Sequence, residues 1–342
     1  MTWLPLLLAD RSPCLRRLVL RDLMGRPPED PELRELEGHV EGDPLAAELV
    51  AAQNPDGSWS LPALGNAGGE IQRTATALAR LGLLGLPAAH PAIRRGADYL
   101  FSQQREDGAW PLPEARREGE EREGYSLIPL QTAIPLRGLA AAGYAEDPRA
   151  ERAYDWLCAQ RLEDGAWPTG IASGVYGGVA GYRRLAHSRW GCRSNTTGAL
   201  LCLALHPTRR HGPEARRALD LLLGRETREA YALGYEVARL LGAEPVRGLL
   251  TTFARFDLAL LAWLCARTGA GTGDPRVAAL VADLRAMQGP YGLWEYAARP
   301  QASRWVTLDL LRSLNTIDAE GEWIGTEPRT PFAPYRHERP RY

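Results

Sequence analysis

Two kinds of helical pattern alternate along the chain. One kind is amphipathic and opens on a polar residue or Gly followed by Pro: Asp43-Pro44, His90-Pro91, Asp147-Pro148, Gly212-Pro213 and Asp274-Pro275. A capping residue followed by Pro at the first helical position is a helix-start signal. The segment Ala150 to Leu157 shows the charged face of such a helix, with Glu151, Arg152 and Asp155. The second kind is apolar nearly all round: Ile71 to Leu84, Tyr125 to Ala142, Ser194 to Leu205, Leu249 to Arg267 and Ser303 to Leu314. Such a helix is buried on every side. No segment sustains the period-two alternation of a strand.

Between each outer helix and the inner helix after it lies a repeated turn. The copies are Gln53 to Trp59, Gln104 to Trp110, Gln160 to Trp167 and Gln288 to Trp294, each ending in Gly-x-Trp. Asp56 and Asp107 are 51 residues apart, and Asp107 and Asp164 are 57 apart, a unit of two helices and two loops. A chain of such units leaves apolar edges unless it closes on itself. We therefore expect one all-α domain, an α/α toroid with a central cavity, with an open helical solenoid as the alternative. Residues 1–42 read as a helical extension completing the ring, with helices near Ser12 to Met24 and Pro31 to Glu37. Residues 43–319 are the toroid, and 320–342 an extended tail rich in Pro and Arg. Asp56, Asp107 and Asp164 read as turn residues.

The stretch Arg95-Gly96-Ala97-Asp98-Tyr99-Leu100, with Gln104, Gly108 and Trp110, resembles the QW repeat of squalene–hopene cyclases and related terpene cyclases. The copy from Arg152 to Trp167 departs at Ala153, where Gly is usual, and its spacing differs by one. The resemblance covers roughly residues 40 to 316. It implies the α/α toroid and a terpene cyclase-like enzyme acting on an isoprenoid or similar apolar substrate by acid-initiated cyclisation or isomerisation. It also implies an acidic DxDD motif opening an inner helix. The matching phase here is Glu70-Ile71-Gln72-Arg73, so Gln72 stands at the proton-donating position. The diphosphate-binding DDxxD motif is absent too.

Other residues then become candidates. Asp257, at the head of the most apolar inner pattern, is the candidate acid, with Asp309 and Glu236 as weaker cases. Tyr125, Trp190, Phe253, Phe256 and Trp305 are candidate cavity aromatics, suited to holding a cation against a ring. Arg183, Arg184 and Arg189 sit in the long Gly-rich loop from Pro168 to Arg193 and offer guanidinium contacts to an anionic group. No cofactor and no metal are expected. Two alternatives remain: a non-catalytic toroid binding a lipid or protein partner, and a zinc-dependent prenyl- or peptide-modifying enzyme using Cys202 and His206 at helical spacing.

Composition narrows the setting. The 342 residues carry 41 basic and 42 acidic side chains, a net charge of -1 that favours neither nucleic acid nor an anionic membrane. Every basic residue is Arg, so any cationic contact to a ligand comes from a guanidinium. The five cysteines are odd in number and scattered, and three lie in apolar helical runs where a free thiol is buried, which reads as a reducing cytoplasm rather than a disulfide framework. The short apolar start, Met1 to Asp10, contains a Pro and no leading charge, and is not read as a signal peptide. No run reaches the roughly 18 apolar residues of a spanning helix. Peripheral membrane contact is compatible with the sequence, and the oligomeric state is not legible in it.

Overall fold

The computed structural model describes residues 3–65, 69–110, 112–113, 125–126, 128–169, 171–172, 175–176, 179, 183–224, 231–245, 248, 251–254 and 256–317. The helices are α1 (Trp3–Leu8), α2 (Pro13–Asp22), α3 (Pro31–His39), α4 (Pro44–Ala51), α5 (Gly69–Leu83), α6 (Pro91–Ser102) and α7 (Pro129–Leu139). They continue as α8 (Pro148–Ala159), α9 (Arg193–Leu205), α10 (Pro213–Leu223), α11 (Tyr235–Leu240), α12 (Leu258–Thr268), α13 (Pro275–Ala286) and α14 (Ser303–Ile317). The inner wall runs α5, α7, α9, α12, α14, each packed on the next, and α11 touches both α14 and α5 to close the circuit. Helices α6, α8, α10 and α13 pack behind this wall. The fold is an α/α toroid. All of α9 from Arg193 to Ala204 is buried, its polar start from Arg193 to Thr197 included.

The capping signals act as read. Asp43 accepts the N–H of Leu45 at 3.0 Å, His90 that of Ala92 at 3.2 Å, and Asp274 that of Arg276 at 2.9 Å. The repeated turn locks outer to inner helix through one set of bonds. The Trp59, Trp110, Trp167 and Trp294 indole N–H groups each donate at 2.7 Å to the carbonyls of Leu49, Leu100, Leu157 and Leu284. Their backbone N–H groups donate at 3.0–3.1 Å to the hydroxyls of Thr74, Thr132, Thr196 and Thr307. All four indoles are buried, with one polar atom each and that atom satisfied. Gln53 donates to the Gly57 and Ala92 carbonyls, both at 2.9 Å, tying one turn to the next outer helix. Gly57 has φ +91°, and a Cβ there would lie 2.3 Å from the Arg95 carbonyl oxygen, so only glycine fits. Asp56, Asp107 and Asp164 accept the N–H two residues on at 3.0 Å, as turn residues do.

Four expectations need correction. In the third copy the turn bond runs from Leu162 N–H to the Ala166 carbonyl, matching Arg105 to Ala109, so Arg161 and not Gln160 occupies the Gln position. The inner helix expected over 249–267 begins only at Leu258, because Phe256 and Asp257 are extended and pair in parallel with Tyr231 and Ala232. The one expected from Tyr125 begins at Pro129, since Tyr125 and Ser126 pair with Leu112 and Pro113. Finally, α11 was not anticipated. It fills the sector between α14 and α5. There α2 is also bound, through Arg17 on the Gly85 carbonyl at 2.5 Å and Arg312 on Asp22. The tail 320–342 lies outside the described residues.

Candidate functional site

The threonines that receive the four tryptophans set a common register for the inner helices. Five residues after each threonine stand Ala79, Arg137, Leu201 and Arg312, and nine after stand Leu83, Ala141, Leu205 and Thr316. This is one helical face, three to four residues per turn. All eight residues line a single cavity of about 710 Å³. The cavity lies toward the ends of the inner helices, on the side away from the tryptophan turns. Leu18, Arg21 and Asp22 of α2, Glu236, Val237 and Leu240 of α11, and Asp257, Leu260, Trp263 and Arg267 at and along α12 complete much of its wall. Its size falls within the roughly 300–1,000 Å³ of small-molecule sites.

The wall is mixed rather than purely apolar. Leucines from α5, α9, α11 and α12 form its apolar surface, while charges enter from α7, α11, α12, α14 and α2. Glu236 is buried between two arginines. It pairs with Arg137 across the ring and accepts from Arg239 at 2.8 and 2.5 Å. Burial alone would raise its pKa, but the two guanidiniums outweigh it and bring the group down to about 2. Both arginines also lie over the Phe253 ring, at 5.7 and 6.0 Å from its centre. At the mouth, Arg312 pairs with Asp22, which Arg21 also grips at 2.5 and 3.1 Å.

Two carboxyls are held the other way. Asp257 is buried, and burial raises it to about 6 against three backbone bonds that oppose the rise. The carboxyl accepts the N–H groups of Gly234 at 2.8 Å, Glu236 at 2.8 Å and Ala259 at 3.1 Å, so both oxygens are occupied. Asp309 is 7% exposed and lines the cavity. Among the described residues no donor reaches its carboxyl. Burial, with Asp257 and Glu236 nearby, raises it to about 7 despite Arg312 and Arg137. Carboxyls pushed apart in this way occur both at acid and base sites and in structural ion-pair networks.

Of the residues singled out from sequence, Asp257 reaches the cavity wall, as do the weaker candidates Asp309 and Glu236; Trp190, Phe253, Phe256, Trp305 and the loop arginines Arg183, Arg184 and Arg189 are not among the described residues that line it. Phe253 sits behind it against the arginines, and Phe256 is buried. Trp305 lines a separate cleft of about 450 Å³ beside Ser12, Leu45 and Gly242. Arg183 is buried with its guanidinium 3.7 Å from Cys192 Sγ, Arg184 is exposed, and Arg189 lies over the Trp190 ring at 5.0 Å. The Tyr125 side chain lies outside the described residues. Trp263, not singled out from sequence, is the aromatic residue of the cavity wall among the described residues. Its spacing from Leu260 and Arg267, three and four residues, was the available signal.

Gln72, at the phase of the family's acid, is buried and donates to the Gln131 carbonyl at 3.3 Å, while Arg73 donates to the Gly65 carbonyl at 2.8 Å. The zinc reading loses its pair. Cys202 Sγ faces the Ala133 and Gly198 carbonyls at 3.0 and 3.3 Å. The His206 ring meets Glu151 at 2.7 Å and accepts the Thr208 and Arg209 N–H groups. The two side chains thus point into different helices, and no group of three metal-ligand side chains occurs among the described residues. No helix among the described residues is long and apolar enough to cross a membrane.

Residues 45–181 match the squalene–hopene cyclase C-terminal domain. The squalene–hopene cyclase of Zymomonas mobilis is 31% identical over 153 residues, 42% of this chain and 21% of that protein. That of Bradyrhizobium diazoefficiens is 34% identical over 125 residues, 35% of this chain and 18% of that protein. The chain thus spans about a fifth of the length of these curated relatives. Among solved structures, the type II terpene cyclase MstE from Scytonema is 17% identical, with a TM-score of 0.33 over 82% of this chain and 98% of that one. A protein from Actinoplanes gives 17% and 0.33 over 82% and 99%. The chain is squalene–hopene cyclase-like in sequence.

Proposed function

We propose that this toroid is a terpene cyclase-like enzyme that takes an isoprenoid chain into the ring cavity and starts its rearrangement by protonating it from Asp309. One observation carries the reading. The Asp309 carboxyl is buried in the cavity wall and has no hydrogen-bond donor among the described residues, and that burial raises it to about 7. A general acid works best with a pKa near the working pH and a free line to the substrate. Asp257 satisfies the first condition but not the second, since three backbone N–H groups occupy it. Its role is to hold α11 against α12.

The same property narrows the substrate. A neutral carboxyl is a weak donor to a bare alkene and a better one to an oxygen, which can accept its hydrogen bond before the proton moves. The substrate class proposed is an isoprenoid carrying an epoxide or an allylic alcohol. Its chain would lie on Leu83, Leu201, Leu205 and Leu260, with Trp263 available to a developing cation.

The second reading is a toroid that binds a lipid or protein partner without turnover. Gln72 and Arg73, neither an acid, favour it at the position where the family places its proton donor. Native mass spectrometry of the purified chain, followed by incubation with oxygenated isoprenoids, separates the two. Turnover lost in Asp309→Asn supports the enzyme. A ligand retained unchanged by the wild type, with no product from any substrate, supports the binding protein.

A further inference from the structure

Two arginines flank Asp309, and neither pairs with it. Arg312 is three residues on along α14, the spacing at which a helix brings opposite charges together. It is committed instead to Asp22 of α2. Arg137 faces the same space from α7 and is committed to Glu236 of α11. We infer that Asp22 and Glu236 are positioning residues: each occupies an arginine beside Asp309, and together they leave its carboxyl without a counter-ion.

Among the described residues the arrangement extends over the helices packed around the group. From α11 come Glu236 and Arg239, which are bonded to each other. From the start of α12 comes Asp257, capped by backbone N–H groups. From the end of α12 comes Arg267, which donates to the Ala204 carbonyl at 3.2 Å and lies over Trp263. From α2 come Arg21 and Asp22, bonded together. Each of these described guanidiniums thus has another acceptor. A guanidinium within about 4–6 Å of a carboxyl favours its ionised form. Removing either Asp22 or Glu236 frees an arginine to take Asp309 as its partner and drive the proton off.

This inference rests on Asp309 being the acid, and one titration tests the two separately. The full chain, labelled with ¹³C at aspartate, is titrated by NMR in the wild type, Asp22→Asn and Glu236→Gln, with Asp309→Asn assigning the resonance. The wild-type midpoint is expected near neutrality. In Asp22→Asn and in Glu236→Gln it falls by about 1–3 pH units. Asp22 lies at the mouth, its side chain 23% exposed, so Asp22→Asn decides the matter even where Glu236→Gln does not fold. The alkaline limb of any rate–pH profile, where the acid loses its proton, moves with the midpoint, which a merely structural role for Asp22 would not produce. A wild-type midpoint near the ordinary carboxylate value of about 4 overturns the acid assignment itself. A near-neutral wild-type midpoint that stays put in Asp22→Asn overturns only the positioning role.

Discussion

The Asp257 carboxylate accepts the backbone N–H of Glu236 at 2.8 Å, so the residue that caps α12 also caps α11, a helix 21 positions earlier in the chain. Its other bond across this junction, from Gly234, is equally short at 2.8 Å. Asp257→Ala strands three buried N–H groups, each worth about 1–3 kcal/mol when left unpaired. Asp257→Asn keeps one acceptor oxygen and should lose less than the alanine variant. Urea unfolding measures both. An alanine variant as stable as the wild type would show that the capping is not a stabilising contact.

Asp309 gives a pH dependence with a definite sign. Its carboxyl is raised in the folded state from 3.8 to about 7, so the native protein binds the proton more tightly than the unfolded chain. Its contribution to stability is complete below about pH 4 and is lost as the pH rises toward 7. Asp309→Asn removes that loss. The variant should gain up to about 2–4 kcal/mol over the wild type between pH 4 and pH 8, at about 1.4 kcal/mol per pH unit of perturbation. Thermal unfolding across this range checks it; parallel pH profiles for the two proteins count against it.

The tryptophan turns carry stability and not chemistry. Trp110→Phe keeps the buried ring but leaves the Leu100 carbonyl without its 2.7 Å partner, for a loss of about 1–3 kcal/mol. Thr132→Val, nearly isosteric, strands the Trp110 N–H and should cost a similar amount. The two bonds bind the same residue, so a double-mutant cycle should show coupling. Turnover per folded molecule should be unchanged in both single variants.

Glycine positions separate turn from surface. Gly57→Ala forces a side chain onto φ +91° and against the Arg95 carbonyl, and should prevent stable folding. Gly38 lies within α3, where an added methyl would meet nothing within 4 Å, so Gly38→Ala should stabilise by about 0.5–1 kcal/mol. Melting temperatures of the pair provide the check.

Much of the ring is legible in the sequence because its parts recur. The Gly-x-Trp turns and the polar-Pro caps mark the outer helices with local chemistry, and the structure places a cap at Asp43, His90, Asp147 and Asp274. What escapes is whatever breaks the repeat. Helix α11 has six residues, no tryptophan turn and no proline start, and its position depends on Asp257, Arg137 and Arg80 from distant segments. The cavity wall was partly hidden for the opposite reason. Thr74, Thr132, Thr196 and Thr307 share a register, but only the bonds from the tryptophans show that this register points positions five and nine residues later at one space. Asp257 stood out by opening an apolar run, whereas Asp309, inside α14, is distinguished by the partners it lacks.

Whether Asp309 delivers the proton is tested most directly by the initial rates of three folded proteins on one oxygenated isoprenoid. Products of the wild type, Asp309→Asn and Asp257→Asn would be separated by gas chromatography and identified by mass spectrometry. Asp309→Asn should lose about 100-fold or more, the usual worth of a general acid, with the substrate still bound. Asp257→Asn should retain turnover within about tenfold, as its oxygens serve backbone N–H groups. Undiminished turnover in Asp309→Asn, or a loss confined to Asp257→Asn, would contradict the assignment.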